Sequence, residues 1–186
     1  MISLKPTKGH LLVAEPSIIS DTSFNRSVVL IADEGSSGFI GFILNKPLVY
    51  TLHDLMPEIS SELMVYNGGP VEQDNLYFIH RAPNLIPDSI EIADGIYWGG
   101  DFLTVTSLIE LKKIGKNDIR FFLGYSGWET EQLENELQLN TWIVVKNTYK
   151  NKIISKNYSS FWKEKMVEFG GDYILWSNAP ENPNFN

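Results

Sequence analysis

Cysteine is absent from the 186 residues, which excludes disulfides, zinc–thiolate sites, iron–sulfur clusters and thiol catalysis or sensing. Histidine is scarce: His10, His53 and His80 are the three, and none falls in an H-x3-5-H or H-E-x-x-H spacing, so no metal site is encoded through them. The glycine-rich signatures of nucleotide loops, G-x-G-x-x-G and G-x4-G-K-[ST], are missing as well. Long apolar runs are lacking: the longest uncharged stretch, Gly35 to Asn45, has eleven residues, short of the ~18 that span a bilayer. The opening Met1 to Gly9 has no apolar core of a secretory signal, so a cytoplasmic protein without membrane association is expected. Positive charge is in deficit, with Lys+Arg 15 against Asp+Glu 23 and a net charge of −8. That balance argues against general coating of nucleic acid, which rewards excess Lys and Arg.

Apolar side chains are plentiful. Hydrophobic residues make up 43% and aromatics 12%, enough to bury a core that offsets the entropy of ordering the chain. One domain over residues 1–186 is expected, with a loose tail at 177–186 around Pro180 and Pro183. Leu11–Ala14, Ser27–Ile31, Gly38–Leu44, Met64–Tyr66 and Leu76–Ile79 read as strands, being short, β-branched or aromatic, and bounded by turn residues. Asp94-Gly95 between Ile90, Ile92 and Ile96 marks a hairpin over Ser89–Trp98. Asp101 caps a helix reaching about Lys113, and Ile119–Leu123 is a buried strand. Ser126 and Glu129 fit a capping box that opens a helix to about Leu139 with Trp128, Leu133 and Leu137 inward. A strand at Trp142–Val145 and a helix at Ser159–Phe169 follow. Strands gather ahead of helices, so the fold class is α+β with a mixed sheet rather than a doubly wound parallel one.

Chemical motifs are incomplete. Gly124-Tyr125-Ser126-Gly127-Trp128 has the strand–turn–helix setting of a nucleophile elbow, but the second residue after Ser126 is Trp rather than Gly. All three histidines also precede Ser126, opposite to the usual order of that triad, so Ser126 reads as a helix cap. His80 closes an apolar strand and reads as a hydrogen-bonded rim residue. Asp88, Glu91, Asp94 and Asp101 lie close in sequence, but turn and cap chemistry accounts for Asp94 and Asp101. Gly68-Gly69-Pro70 either offers backbone amides to an anion or lets the chain reverse tightly.

Basic residues gather in one place. Lys146, Lys150, Lys152, Lys156, Lys163 and Lys165 lie between 146 and 165 with a single acid, Glu164, and with Tyr149, Tyr158 and Trp162 interleaved. Such a segment binds an acidic partner or forms a solvated lysine face. With no Arg and no DNA-reading motif there, the solvated face is the reading taken.

Several blocks together resemble a known family. Gly9-His10-Leu11-Leu12-Val13-Ala14-Glu15-Pro16 with Asp21, Phe24 and Arg26–Leu30 looks like its opening. Gly38–Pro47 is similar to its second block, and Tyr66–Val71 with His80 to its third. Arg120–Trp128, then Gln132–Leu137 and Trp142, match its best-known block. In this order the blocks resemble the YqgE/AlgH family of bacterial proteins over roughly residues 9 to 145. The resemblance implies an α+β fold with a branched, mixed β-sheet, partly rolled into a small barrel and surrounded by helices. It implies no catalytic residue set and no cofactor; members are commonly labelled transcriptional regulators. The chain departs at Glu131, where the family often has Gly.

Asn45, Gly68-Gly69 and Gly124–Trp128 each put turn chemistry at the end of an apolar strand, where loops converge and ligands bind. Arg26, Asn45, Gly68, Gly69, Tyr125, Trp128 and Gln132 are therefore the candidates for binding a ligand or partner. Their alternative role is to specify the fold, with Arg26 pairing a carboxylate, Asn45 closing a turn and Trp128 in the core. The function expected is a non-catalytic regulatory or binding protein acting through a protein partner or small ligand. Alternatives are a small-metabolite enzyme using His80, Asp101 or Tyr125, and direct DNA binding through Lys146–Lys165.

Overall fold

The computed structural model describes residues 4–18 and 21–180. Among these residues there are ten strands and five helices. The strands are β1 (Leu11–Ala14), β2 (Val28–Gly35), β3 (Gly38–Ile43), β4 (Pro47–Thr51), β5 (Met64–Asn67), β6 (Val71–His80), β7 (Ile90–Ala93), β8 (Ile96–Trp98), β9 (Ile119–Trp128) and β10 (Trp142–Val145). The helices are α1 (Leu52–Leu55), α2 (Phe102–Glu110), α3 (Thr130–Gln138), α4 (Tyr158–Phe169) and α5 (Tyr173–Asn178), with a 3-10 turn at Lys150–Ser155.

The sheet runs β10-β1-β2-β3-β9-β6-β8-β7, and β4–β5 branch off it. Every pairing is antiparallel except β5 with β9. The branch arises because β9 shares one edge between two partners. Residues 121–123 pair with β5, and residues 126–128 pair with β3. Its other edge holds β6 from Ile119 to Tyr125. The sheet is thus mixed and branched, as the resemblance implied. It curls without closing, since β10 and β7 end the order.

Side-chain alternation explains the curl. Leu11 and Val13 of β1 face a central core shared with Phe42, Phe122, Ile79, Ile92 and Ile96 from strands across the whole order. Ile153 and Ile154 of the 3-10 turn and Phe161, Trp162 and Met166 of α4 plug this concave side. Leu12 and Ala14 face the opposite way, into a second layer with Val29, Ile31, Trp128, Trp142 and Leu133 of α3. A third cluster puts Val105, Leu108 and Ile109 of α2 against Val65, Phe78 and Phe121. Strands covered on both faces read as unbroken apolar runs, which is why Leu11–Ala14 was legible from sequence alone.

The hairpin and the Asp101 cap are as expected: Asp101 accepts from the Thr104 amide at 2.8 Å. The capping box at Ser126 is corrected. Ser126 lies inside β9, fully buried, and its hydroxyl donates to the Gly68 carbonyl at 3.0 Å. α3 begins at Thr130, and its cap, Glu129, makes no side-chain bond. Ladder bonds to β3 carry the strand five residues past its expected end at Leu123. The strand expected at Leu76–Ile79 starts earlier, at Val71, where it pairs with Tyr125 of β9; its first half is polar and exposed, so no apolar run marks it. β4, α1, the 3-10 turn and α5 were not foreseen. α5 continues to Asn178, into the stretch expected to be loose; residues 181–186 lie outside the described residues.

One carboxylate fastens α3 to the sheet. Glu136 Oε2 accepts both indole N–H groups, from Trp128 at 2.9 Å and from Trp142 at 2.7 Å, while Oε1 accepts from Gln132 at 3.0 Å. The two indoles are 4% and 3% exposed, so losing the acceptor strands both donors. Glu136→Ala is expected to lower the unfolding free energy by about 2–4 kcal/mol. Urea titration checks this, with Glu134→Ala, an exposed neighbour on the same helix, expected to stay within about 0.5 kcal/mol of the parent.

Candidate functional site

Two depressions meet at Tyr158. The larger, about 1030 Å³, opens at the starting ends of the parallel pair β5 and β9. The Ser60–Met64 segment, the end of α2 with the turn that follows it to Asp118, and Ser155–Tyr158 at the start of α4 form its walls. The smaller, about 280 Å³, is lined by Arg26, Asn45, Pro47, Tyr158, Ser159, Trp162 and Lys163.

Arg120 is the buried charge of the larger cleft, 6% exposed in the otherwise apolar start of β9. Nη1 donates to the Leu44 carbonyl and Nη2 to the Lys156 carbonyl, each at 2.8 Å. The guanidinium sits 4.6 Å from the centre of the Tyr66 ring, and Tyr158 packs edge-on to that ring at 5.8 Å. Among the described residues no carboxylate pairs with Arg120, and neither tyrosine hydroxyl has a hydrogen-bond partner. Burial works against the charge of Arg120 and raises the pKa of Tyr66. Lys112, Lys113 and Lys116 stand exposed on the rim with Glu62 and Glu110. Asp118 is engaged with Arg81 at 3.3 Å.

The sequence candidates separate into three places. Arg26 and Asn45 meet in the smaller depression with Lys163. Arg26 does not pair a carboxylate among the described residues. Its Nη2 donates to the Pro180 carbonyl at 2.7 Å, and the group stacks 5.1 Å from the Trp162 ring. Asn45 accepts from the Val28 amide at 2.8 Å and donates to the Arg26 carbonyl at 2.9 Å, extending the strand ladder with a side-chain amide.

Gly68, Gly69 and Tyr125 sit at the fork of the sheet rather than in a cavity. The Gly68 carbonyl accepts from the Ile43 amide and from Ser126, while its amide donates to Leu123. Tyr125 packs edge-on to Tyr77. Trp128 and Gln132 belong to the α3 layer, tied to Glu136.

The lysine segment is only partly a solvated face. Lys146, Lys150 and Lys152 are exposed, but Lys156 is paired with Glu164. Lys165 is 2% exposed, 2.7 Å from Glu168 and over the Tyr149 ring at 4.7 Å, which corrects its place on a surface. Burial and the neighbouring Glu168 push the Tyr149 hydroxyl up to about 12.

The three residues of the enzymatic alternative do not converge. Ile119 registers with His80 and Tyr125 with Val71, so His80 and Tyr125 stand six strand positions apart, roughly 20 Å. His80 is fully buried rather than at a rim. Its Nδ1 accepts from the Ala82 amide, so Nε2 carries the proton and donates to the Gly99 carbonyl at 3.1 Å. Among the described residues no three His, Asp or Glu side chains gather as metal ligands, and no helix is long and apolar enough to cross a membrane.

Arg120, Tyr66 and Tyr158 were not singled out as site residues from sequence. The signal was an arginine inside an apolar strand, a residue type seldom buried without a partner.

The profile of the AlgH-like family matches residues 11–174. The chain belongs to this family. Among its relatives, a UPF0301 protein of Cytophaga hutchinsonii is 40% identical over 97% of this chain and 99% of its own length. A UPF0301 protein of Bacteroides fragilis is 38% identical over 99% and 93%. The crystal structure of a Corynebacterium diphtheriae protein superposes with a TM-score of 0.78 at 21% identity, covering 96% of this chain and 95% of that one. The solution structure of the AlgH protein of Pseudomonas aeruginosa gives 0.71 at 22%, covering 97% and 98%. These two likenesses establish the fold of this AlgH-like chain, and the family carries no assigned biochemical activity.

Two outcomes follow from this geometry. A Cβ on Gly69, where φ is +149°, would come within 2.3 Å of the Tyr125 carbonyl carbon. Gly69→Ala should therefore lower stability by about 3 kcal/mol or more, while Gly35→Ala, with nothing within 4 Å, should change it by under about 0.5 kcal/mol. Circular dichroism melts of the pair decide it.

For His80, burial lowers the folded-state pKa below 6.5, outweighing the Gly99 bond that raises it. The unfolded chain then takes up a proton near pH 6.5 that the folded one refuses, so stability is full above 6.5 and falls as pH drops toward the folded pKa. The urea midpoint should decline more between pH 7.5 and 5.5 in the parent than in His80→Gln; equal declines would refute it.

Proposed function

We propose that this AlgH-like protein is a non-catalytic binding protein of the cytoplasm with a regulatory role, and that a small ligand in the cleft beside Arg120 is what it senses. The observation that carries this reading is a cleft of about 1030 Å³ holding a buried arginine that has no acidic partner, and two tyrosine hydroxyls that have no hydrogen-bond partner, among the described residues. Such a mix of apolar wall and a few fixed polar groups suits recognition of a small molecule. Catalysis is not favoured, because the candidate acid–base residues are spent on caps and backbone bonds or stand far apart. Direct DNA binding is not favoured either, since Lys156 and Lys165 are neutralised by Glu164 and Glu168.

A thermal-shift screen of nucleotides and common metabolites tests the reading. A ligand at a hundred times its Kd adds about 2.7 kcal/mol, which for a chain of this size raises Tm by roughly 5–10 °C. The expected result is a hit that Tyr158→Phe weakens and that chromatography recovers unchanged. Turnover of the hit would make the protein an enzyme, and a silent screen would move the function to a protein partner.

A further inference from the structure

We infer that the larger cleft is an oxyanion site, in which Arg120 receives the carboxylate or phosphate of a small organic molecule whose apolar body lies along Leu63, Met64 and Ile114. The inference rests on the ligand-binding reading above and adds the chemical class of the ligand.

A guanidinium removed from water carries a desolvation penalty that is ordinarily met by a carboxylate or phosphate in fork geometry. Arg120 has neither. Two of its five N–H groups meet backbone carbonyls, of Leu44 and Lys156, and no further hydrogen bond from it occurs among the described residues. Carbonyl dipoles hold the group in place without cancelling its charge.

The neighbours point the same way. The Tyr66 ring lies under the guanidinium, Tyr158 packs edge-on to that ring and lines the same cleft, and a hydroxyl with no acceptor among the described residues is a donor ready for an anion. The lining holds Lys112, Lys113, Lys116 and Arg120, with Lys156 already paired to Glu164, against the acids Glu62, Glu110 and Asp118. Asp118 is already turned to Arg81, so it offers little repulsion. In a chain of net charge −8, this local excess of the opposite sign draws anions toward one opening. Apolar residues on the wall select a ligand with an organic body over a bare ion.

Isothermal titration with phenyl phosphate, benzoate, inorganic phosphate and benzyl alcohol tests the inference on the full chain. Phenyl phosphate or benzoate should bind, at least tenfold more tightly than benzyl alcohol, and less tightly as salt rises. Whichever of the two binds better names phosphate or carboxylate as the natural group. Tyr158→Phe, which keeps the ring and removes the hydroxyl, should weaken binding about tenfold. Arg120→Gln should abolish it. Should that variant fail to fold, Lys113→Glu with Lys116→Glu gives the electrostatic readout at the rim, with weaker binding expected.

Binding that ignores all of these changes overturns the oxyanion site, and inorganic phosphate matching phenyl phosphate overturns the organic body of the ligand. Preference for benzyl alcohol, or for a cationic screen hit displaced by Tyr158→Phe, overturns the anion while leaving the ligand-binding reading intact. Silence from every probe and from the metabolite screen removes both.

Discussion

The architecture depends on a single peptide group at the fork of the sheet. Gly68 follows β5 and sits where β9 gives up that strand and takes β3 on the same edge. Its amide donates to Leu123, and its carbonyl accepts from both Ile43 and Ser126, so one residue joins β3, β5 and β9. No side chain fits there: a Cβ on Gly68 would lie 2.2 Å from the Gly124 carbonyl oxygen. Gly124 adds a left-handed φ of +71°, and Gly69 completes the close approach. The glycines therefore serve the crossing of backbones, and the bond from Ser126 replaces the ladder contact that the branch would otherwise lose.

The fork also decides where a cleft can exist. Because β5 runs parallel to β9, their starting ends open to the same side, and the chain must reach them by long connections rather than tight turns. Those connections, through Ser60–Leu63 into β5 and Lys112–Asp118 into β9, are two of the cleft walls, and Ser155–Tyr158 at the start of α4 is the third. Arg120 enters at the second residue of β9, where its side chain lies between the end of β3 and the 3-10 turn. Its two carbonyl bonds tie elements 76 and 36 residues away in sequence. The same arginine thus fixes the floor of the cleft and supplies its charge.

What was legible in the sequence was what pattern alone dictates. Unbroken apolar runs gave β1, β2 and β3; Asp94-Gly95 gave the hairpin; Asp101 gave the start of α2. The YqgE/AlgH resemblance supplied the branched sheet, which no local pattern encodes, since a fork is a property of three strands distant in sequence. Ser126 shows the limit. Ser-x-x-Glu before a helical run is a sound capping signal, yet tertiary ladder bonds to β3 outweigh it and carry β9 through the motif. The candidate site was half legible for a similar reason. Arg26 and Asn45 were found because they stand at strand ends, and they do line a depression. Gly68, Gly69, Trp128 and Gln132 stand at strand or helix ends too, but there the same residue types serve the fork and the Glu136 bonds. Arg120 lay inside an apparently plain buried strand, and only its three-dimensional lack of an acid distinguishes it.

The treatment of positive charge links these features. Around α4 and the turn before it, buried and half-buried cations rest on aromatic faces: Arg26 on Trp162, Lys156 and Lys165 on Tyr149, Arg120 on Tyr66. An aromatic face offsets part of the loss of water but leaves the charge uncancelled toward its open side. For Lys156 and Lys165, Glu164 and Glu168 supply the missing anion from within the chain. For Arg26 and Arg120 no acid among the described residues does so, and these two arginines are the pair found in the depressions that meet at Tyr158. Among the described residues, carboxylates go to the lysines and backbone carbonyls to the arginines. This leaves positive charge where the surface is concave, and that placement at Arg120 is the physical basis for an anion as the cleft's occupant.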